Sequence, residues 1–179
     1  MVKRKNNILG LVPARFGSKG IKQKNIRKLW GKPLVAYPIQ NGLDSKYISR
    51  TICTTDSKKI AEIAQSYGAE VPFIRPRKFS DDYSNDLGFV KHALDWLEEN
   101  EGWSAQIVVI LRPTAPTRSV SDIDKAIETL IANPDAHSIK SIIPVSQNPY
   151  KMWKYSDSKF ILPILTSDIF EQHNSARQL

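Results

Sequence analysis

Residues 9–25 read LGLVPARFGSKGIKQKN, an apolar run that breaks into a cationic loop. Ile8, Leu9, Leu11 and Val12 supply the run; past Pro13 come Arg15, Gly17, Ser18, Lys19, Gly20, Lys22 and Lys24. A buried strand opening into a glycine-bearing basic loop is how α/β proteins cradle phosphate. Glycine lets backbone N–H groups approach the ligand, and the cations neutralise it. The stretch is neither Gly-x-Gly-x-x-Gly nor a Walker loop, because the Gly-Lys-Ser/Thr ending is missing. An anion-binding loop is the leading reading; a solvated basic surface loop is its rival.

The same alternation continues along the chain. A helix is expected over residues 34–43, beginning near Pro38, where proline is tolerated. Residues 48–54 read as a strand, and Thr55-Asp56-Ser57 offers an N-cap to a helix over 58–67. In that helix Ile60, Ile63, Ala64 and Tyr67 recur at i, i+3, i+4 and i+7, and Gly68 stops it. Further on come a short strand (70–74) and a helix (86–99) with Leu87, Val90, Leu94 and Leu97 on one face. Residues 107–111 are an apolar run of the kind buried by helices on both faces. A helix capped by Ser121 then runs to Ala132, and a strand covers 138–145.

Strands alternating with helices every thirty residues or so predict a βαβ sheet with helices on both sides. Ligands of such sheets sit outside the carboxyl ends of the strands. The loops 13–25, 54–57 and 112–118 all follow strands, so they are expected to gather on one edge. Arg112 and Arg118 thereby become further candidate phosphate contacts.

The chain has 179 residues, 41% hydrophobic and 25% charged, enough for one domain with an appendage. No apolar run approaches a bilayer span, and MVKRKNN carries no apolar leader region. Cys53 has no disulfide partner and reads as an inert core thiol. A cytoplasmic enzyme or binding protein with no membrane partner fits. The net charge of +8 is spread along the chain without aromatic interleaving or a nucleic-acid motif, which argues against a nucleic-acid partner.

From residue 147 the rhythm changes. Asn148 to Tyr155 is aromatic, basic and irregular, and Phe160 to Leu165 is apolar around Pro163. Met152, Trp153, Phe160, Ile161, Leu162, Ile164 and Leu165 need a partner surface, which favours a homodimer contact over folding back. The expected organisation is an anion-binding α/β domain over 1–146, a protruding dimerisation segment over 147–176, and a return to the main domain at 177–179.

An ordered set of motifs carries a resemblance. Pro13-Ala14-Arg15-x-Gly17-Ser18-Lys19-Gly20, Lys24-Asn25, Gly31-Lys32-Pro33-Leu34, Thr54-Thr55-Asp56, Arg75-Pro76 and Arg112-Pro113-Thr114-Ala115-Pro116 occur in that order. Together they resemble the acylneuraminate cytidylyltransferases, the CMP-sialic acid synthetase family. The resemblance implies a Rossmann-like three-layer αβα sandwich of nucleotide-diphospho-sugar transferase type. It also implies an activity: CTP and a sialic-acid-like nonulosonic acid give a CMP-sugar and pyrophosphate with Mg²⁺, in cell-surface glycan precursor synthesis.

Position by position, the resemblance assigns Arg15, Lys24 and Arg177 as catalytic cations. It assigns the nucleotide to Arg15, Gly17, Ser18, Lys19, Lys24 and Asn25, then to Arg75, Asp82, Ser84 and Asp86. It assigns the sugar acid to Arg112, Lys151 and Arg177. The residue types suit the chemistry, since a triphosphate losing pyrophosphate needs cations and oriented N–H groups rather than a side-chain nucleophile.

There are three departures from the family pattern. Arg112 stands where the sialic acid enzymes usually have glutamine, and Asp86 where a nucleotide-pocket serine is usual. The family also continues into an Asn-Gly strand and an Asp-x-Asp pair that holds the metal, and this sequence stops at Leu179. The expectation is a truncated chain, or one completed by another copy, with its metal ligands beyond residue 179 and none identified within it. A non-catalytic nucleotide- or sugar-binding relative, or an enzyme using another nucleotide, are the alternatives. His92, His137 and His173 are too scattered for a metal site. Asp81 and Asp82 read as capping or solvated carboxylates, and Asp56 as a helix N-cap or a group on the metal side.

Overall fold

Strand β1 (Ile8–Pro13) is the middle of a parallel sheet and feeds two cores at once. Its side chains alternate, as strand geometry dictates. Ile8 and Val12 enter one hydrophobic cluster, Leu9 and Leu11 the other, and all four are buried. In this computed structural model residues 7–18, 20–80, 85–144, 148–155 and 160–165 are described, Lys151 by its backbone only. The chain divides into two compact units, Met1–Ile139 and Lys140–Leu179.

In the first unit a small hairpin follows β1: β2 (Lys28–Leu29) pairs antiparallel with β3 (Lys32–Pro33). Its turn residues Trp30 and Gly31 both have positive φ, 46° and 84°, the combination a two-residue type I′ turn requires. Helix α1 (Ala36–Asp44) comes next and accommodates Pro38 in its first turn, where a missing N–H is harmless. Then come β4 (Arg50–Thr54), α2 (Lys58–Ser66), α3 (Asp86–Glu101), β5 (Ile107–Ile110) and α4 (Val120–Ala132). The sheet order is β4-β1-β5, all parallel, with Leu11 opposite both Ile52 and Ile110.

Three helices cover one face of this sheet. Ile39 of α1, Ile60 and Ala64 of α2, and Ile123 and Ile127 of α4 join Ile8, Val12 and Cys53. Helix α3 covers the other face with Phe89, Ala93 and Leu97 against Leu9, Leu11 and Ile52. The result is the three-layer, Rossmann-like α/β arrangement that the alternating pattern predicts. Each fully buried Leu or Ile contributes roughly 1.5–3 kcal/mol. Cys53 is fully buried, and burial pushes its thiol up to about 12, with Arg75 opposing, so it is inert at neutral pH.

Several elements differ from the sequence expectation. Residues 70–74 form no strand, only a parallel bridge of Glu70 to Ile52, because Pro72 has no N–H to continue a ladder. Residues 107–110 pack on both faces, Ile107 and Val109 against one cluster and Val108 against the other, but are only half-buried, since among the described strands β5 lies at the edge of its sheet. Residues 138–144 are irregular, with Ile142 90% and Ile143 84% exposed. A β-pattern forms a strand only where a neighbouring backbone offers pairing groups, and no such ladder forms there. The N-cap of helix α4 is Ser119, two residues before the expected cap Ser121.

The second unit contains an antiparallel hairpin, β6 (Trp153–Tyr155) with β7 (Ile161–Pro163), paired Trp153 to Pro163 and Tyr155 to Ile161. A single 3-10 turn (Pro149–Lys151) precedes it, capped by the Asn148 side chain, which accepts from the Tyr150 N–H at 2.9 Å. Phe160, Ile161, Leu162 and Ile164 are all exposed. No helix among the described residues is long and apolar enough to cross a membrane.

Candidate functional site

Three chain segments converge at the carboxyl ends of the strands to line a cavity of about 420 Å³. The loop after β1 brings Arg15, Ser18, Gly20, Lys24 and Asn25; the segment after α2 brings Arg75, Phe79 and Ser80. The third side is Asp86 and Phe89 of α3 with Arg112, Pro113 and Thr114 after β5. Arg15, Lys24, Arg75 and Arg112 are the basic lining residues, set against the Asp86 carboxylate.

The first loop is held by its own residues. The Ala14 N–H donates to the Thr54 carbonyl at 3.0 Å, prolonging the pairing of β1 with β4. The Phe16 N–H donates to Asp56 Oδ1 at 2.8 Å, tying the loop to the end of β4. Asn25, 6% exposed, donates from Nδ2 to the Arg15 carbonyl at 2.8 Å, and its own carbonyl accepts from the Val35 N–H at 2.9 Å. Gln23 adopts the left-handed conformation (φ 54°), an uncommon state for a residue with a side chain, and reverses the chain just before Lys24. At Gly20 an added Cβ would meet no protein atom within 4 Å, so the missing side chain serves room in the cavity rather than packing.

These contacts give Asp56 a different place from either sequence reading. The N-cap of α2 is Ser57, whose Oγ accepts from the Ile60 N–H at 3.4 Å, while Asp56 holds the loop backbone.

Arg75 is 4% exposed. Its N–H donates to the Thr55 carbonyl at 2.8 Å, and its guanidinium lies 5.5 Å from the Phe89 ring centroid. Its Nε has no hydrogen-bond partner among the described residues. Burial lowers its pKa, Asp56 opposes that, and Arg15 adds to it. An arginine still keeps its proton at neutral pH.

Asp86 opens α3 behind the N-cap Asn85, whose side chain accepts from the Gly88 N–H at 3.0 Å. Arg112 Nη2 donates to Asp86 Oδ2, an ion pair across the cavity lining. Arg118 is half-buried but does not line the cavity; burial and then the nearby Arg112 lower its pKa.

Of the site residues named from sequence, Arg15, Ser18, Lys24, Asn25, Arg75, Asp86 and Arg112 come together around this cavity. Gly17 shares the loop without lining it. Lys19, Asp82, Ser84 and Arg177, with the Lys151 side chain, lie outside the described residues. The sequence reading missed Phe79, Ser80, Phe89 and Thr114. Phe89 was findable. The expected helix face of Leu87, Val90, Leu94 and Leu97 starts at a residue that is 70% exposed, whereas the line Phe89, Ala93, Leu97 is the fully buried one.

Behind Phe79 lies His92, its ring 4.7 Å from Phe73 and 5.4 Å from Phe79. Burial, then the charge of Arg75, lowers its pKa. Among the described residues no group of three or more His, Cys, Asp or Glu could hold a metal, and the Asp86 carboxylate is engaged by Arg112. The described residues therefore form no all-protein metal cage, the kind of site a cation bound mainly through a ligand's phosphates does not need.

A parallel sheet sandwiched by helices, with a basic pocket at its carboxyl edge, defines a Rossmann-like α/β protein. Its sequence matches the cytidylyltransferase family model over residues 9–161, and the chain belongs to that family. It is 38% identical over 125 residues to a pseudaminic acid cytidylyltransferase of Campylobacter jejuni, covering 70% of this chain and 53% of that protein. It is 37% identical over 142 residues to a CMP-N,N'-diacetyllegionaminic acid synthase of Legionella pneumophila, covering 79% and 60%. Against an N-acylneuraminate cytidylyltransferase of Escherichia coli the identity is 37% over 124 residues, covering 69% and 28%. Among solved structures, the CMP:2-keto-3-deoxy-manno-octonic acid synthetase complexed with CTP superposes with a TM-score of 0.60 at 17% identity. That match covers 72% of this chain and 49% of the other and attests the fold. The chain spans 28% to 60% of the length of these curated relatives.

Proposed function

We propose that this chain carries the nucleotide site of a CTP-dependent cytidylyltransferase that makes a CMP-sugar and pyrophosphate from CTP and a sialic-acid-like nonulosonic acid. The observation that carries the reading is Arg75: a cation 4% exposed, its Nε unpartnered among the described residues, lining a cavity already ringed by Arg15, Lys24 and Arg112. A buried guanidinium N–H left without an acceptor is costly, so a polyanionic or polar ligand is its natural complement. The relatives named for CMP-sugar synthesis support the same reading.

In this reading the anomeric hydroxyl of the sugar, releasing its proton to solvent, attacks the α-phosphorus of CTP. The bond to the bridging oxygen breaks, and the electron pair leaves with pyrophosphate. Arg15, Lys24 and the loop's backbone N–H groups meet the negative charge that moves onto the leaving group. Gly20 leaves the triphosphate room. Arg75 and the ring of Phe89 flank the base and ribose, and Arg112 faces the sugar acid. Lys19, Asp82 and Ser84 complete the nucleotide contacts and Lys151 and Arg177 the sugar contacts, as the resemblance implies. Mg²⁺ belongs to the family reaction, but no step here is assigned to it. The protein acts in the cytoplasm as a homodimer through its second unit, without nucleic-acid or membrane partners.

Titration calorimetry with CTP, UTP, ATP and GTP tests this. CTP is expected to bind most tightly, and Arg15→Ala to abolish that binding; undiminished CTP binding by the variant would overturn the assignment of the loop. Pyrophosphate release measured with several nonulosonic acids then distinguishes turnover from binding alone, which would make the chain a non-catalytic relative.

A further inference from the structure

Two oppositely charged residues of the cavity lining, one from α3 and one from the loop after β5, meet each other. Arg112 Nη2 donates to Asp86 Oδ2, with side chains 47% and 50% exposed respectively. Each alone is awkward. A lone Asp86 puts a negative charge in a cavity whose other charged lining groups, Arg15, Lys24 and Arg75, suit a polyanion. A lone Arg112 is a long, half-exposed side chain with little to fix it. Paired, the carboxylate is neutralised and the guanidinium is anchored to the first residue of α3, where a helix N-terminus also favours the carboxylate. One N–H group of Arg112 serves this bond, and a guanidinium carries five.

We propose that Asp86 and Arg112 are one specificity element for a carboxylate-bearing sugar: Asp86 is the positioning residue that fixes the guanidinium at the cavity, and the remaining guanidinium donors receive the sugar carboxylate. Arg112 in turn shields the triphosphate from the charge of Asp86. The proposal rests on the cytidylyltransferase reading above.

The test is a double-mutant cycle on the purified chain, with CTP and N-acetylneuraminic, pseudaminic and legionaminic acids titrated separately. Arg112→Gln is expected to weaken CTP about threefold to tenfold, because Asp86 is left unpaired beside the phosphates. Adding Asp86→Ser to that variant is expected to return CTP affinity to within about twofold of the parent. Asp86→Asn keeps the size of the side chain and the helix start, so it is the variant safest for folding. It is expected to weaken the best-bound sugar acid severalfold, a larger change than its effect on CTP affinity. Additive losses of CTP affinity in the double variant, or unchanged sugar-acid binding by Asp86→Asn, overturn the pair alone. Absence of CTP binding by the parent chain overturns the cytidylyltransferase reading and the pair with it.

Discussion

Arg75 sets stability against binding within one side chain. Its buried charge has Asp56 as a favourable neighbour and Arg15 as an unfavourable one. Replacing it by methionine keeps the bulk over Phe89 while removing the charge. Arg75→Met is therefore expected to raise the melting temperature of the free protein and to cost about 1.5–3 kcal/mol of CTP affinity. Parallel thermal melts and calorimetry check both signs. His92 gives a second residue-level expectation. Burial holds its pKa below the ordinary 6.5, so below that value the unfolded chain binds the proton more readily than the folded one. Its contribution is whole above about pH 6.5 and declines as pH falls through that value toward the lower folded-state pKa. Denaturant melts of the parent and His92→Gln across this range should show a shallower acid decline in the variant. The identity of the loop cations was legible in the sequence because charge and glycine spacing are local signals. The tether from Asp56 to the Phe16 N–H was not, since it joins residues 40 positions apart that only the pairing of β1 with β4 brings together.

At the scale of elements, two close fits carry much of the geometry. Gly42 of α1 faces β4 so tightly that an added Cβ would lie 2.6 Å from Thr51 Oγ1 and 3.1 Å from Leu111 Cδ1. Thr51 is buried and branched at Cβ, so it has little room to yield. Gly42→Ala is expected to destabilise by about 1–3 kcal/mol despite the better helix propensity of alanine, read as a lower denaturant midpoint. Asn25 is the clasp of the loop after β1. Asn25→Ala is expected to weaken CTP binding more than it lowers the melting temperature, because the loop loses its shape while the sheet below it does not. Elements were readable where periodicity met a cap or breaker, as in α2 between Ser57 and Gly68. They were misread where tertiary pairing decides: residues 70–74 and 138–144 have the composition of strands without a full ladder to join. The buried face of α3 is hard to read from hydrophobicity because it runs through small Ala93, while the larger Leu87 is exposed.

For the molecule as a whole, the apolar hairpin of the second unit is the feature that bears on assembly. Ile161 is 56% and Leu162 45% exposed, on adjacent positions of β7 that face opposite sides. If the homodimer uses this hairpin, Ile161→Lys with Leu162→Lys should convert dimer to monomer in equilibrium sedimentation, with the melt of the first unit unchanged. A parent that sediments as a monomer at the same concentration would contradict that assembly.

The central place of β1 also governs how the chain comes into being. Strand β1 is finished within the first 13 residues, yet one edge waits for residues 50–54 and the other for residues 107–110. Pairings of such long sequence separation make folding slow, because a large loop must close before any contact rewards it. At a synthesis rate of roughly 5–20 residues per second, several seconds pass before both neighbours exist. Through that interval the Ile8–Val12 run, later the driest part of the protein, is its stickiest segment, and a nascent chain in this state is a natural client for chaperones that shield short hydrophobic stretches.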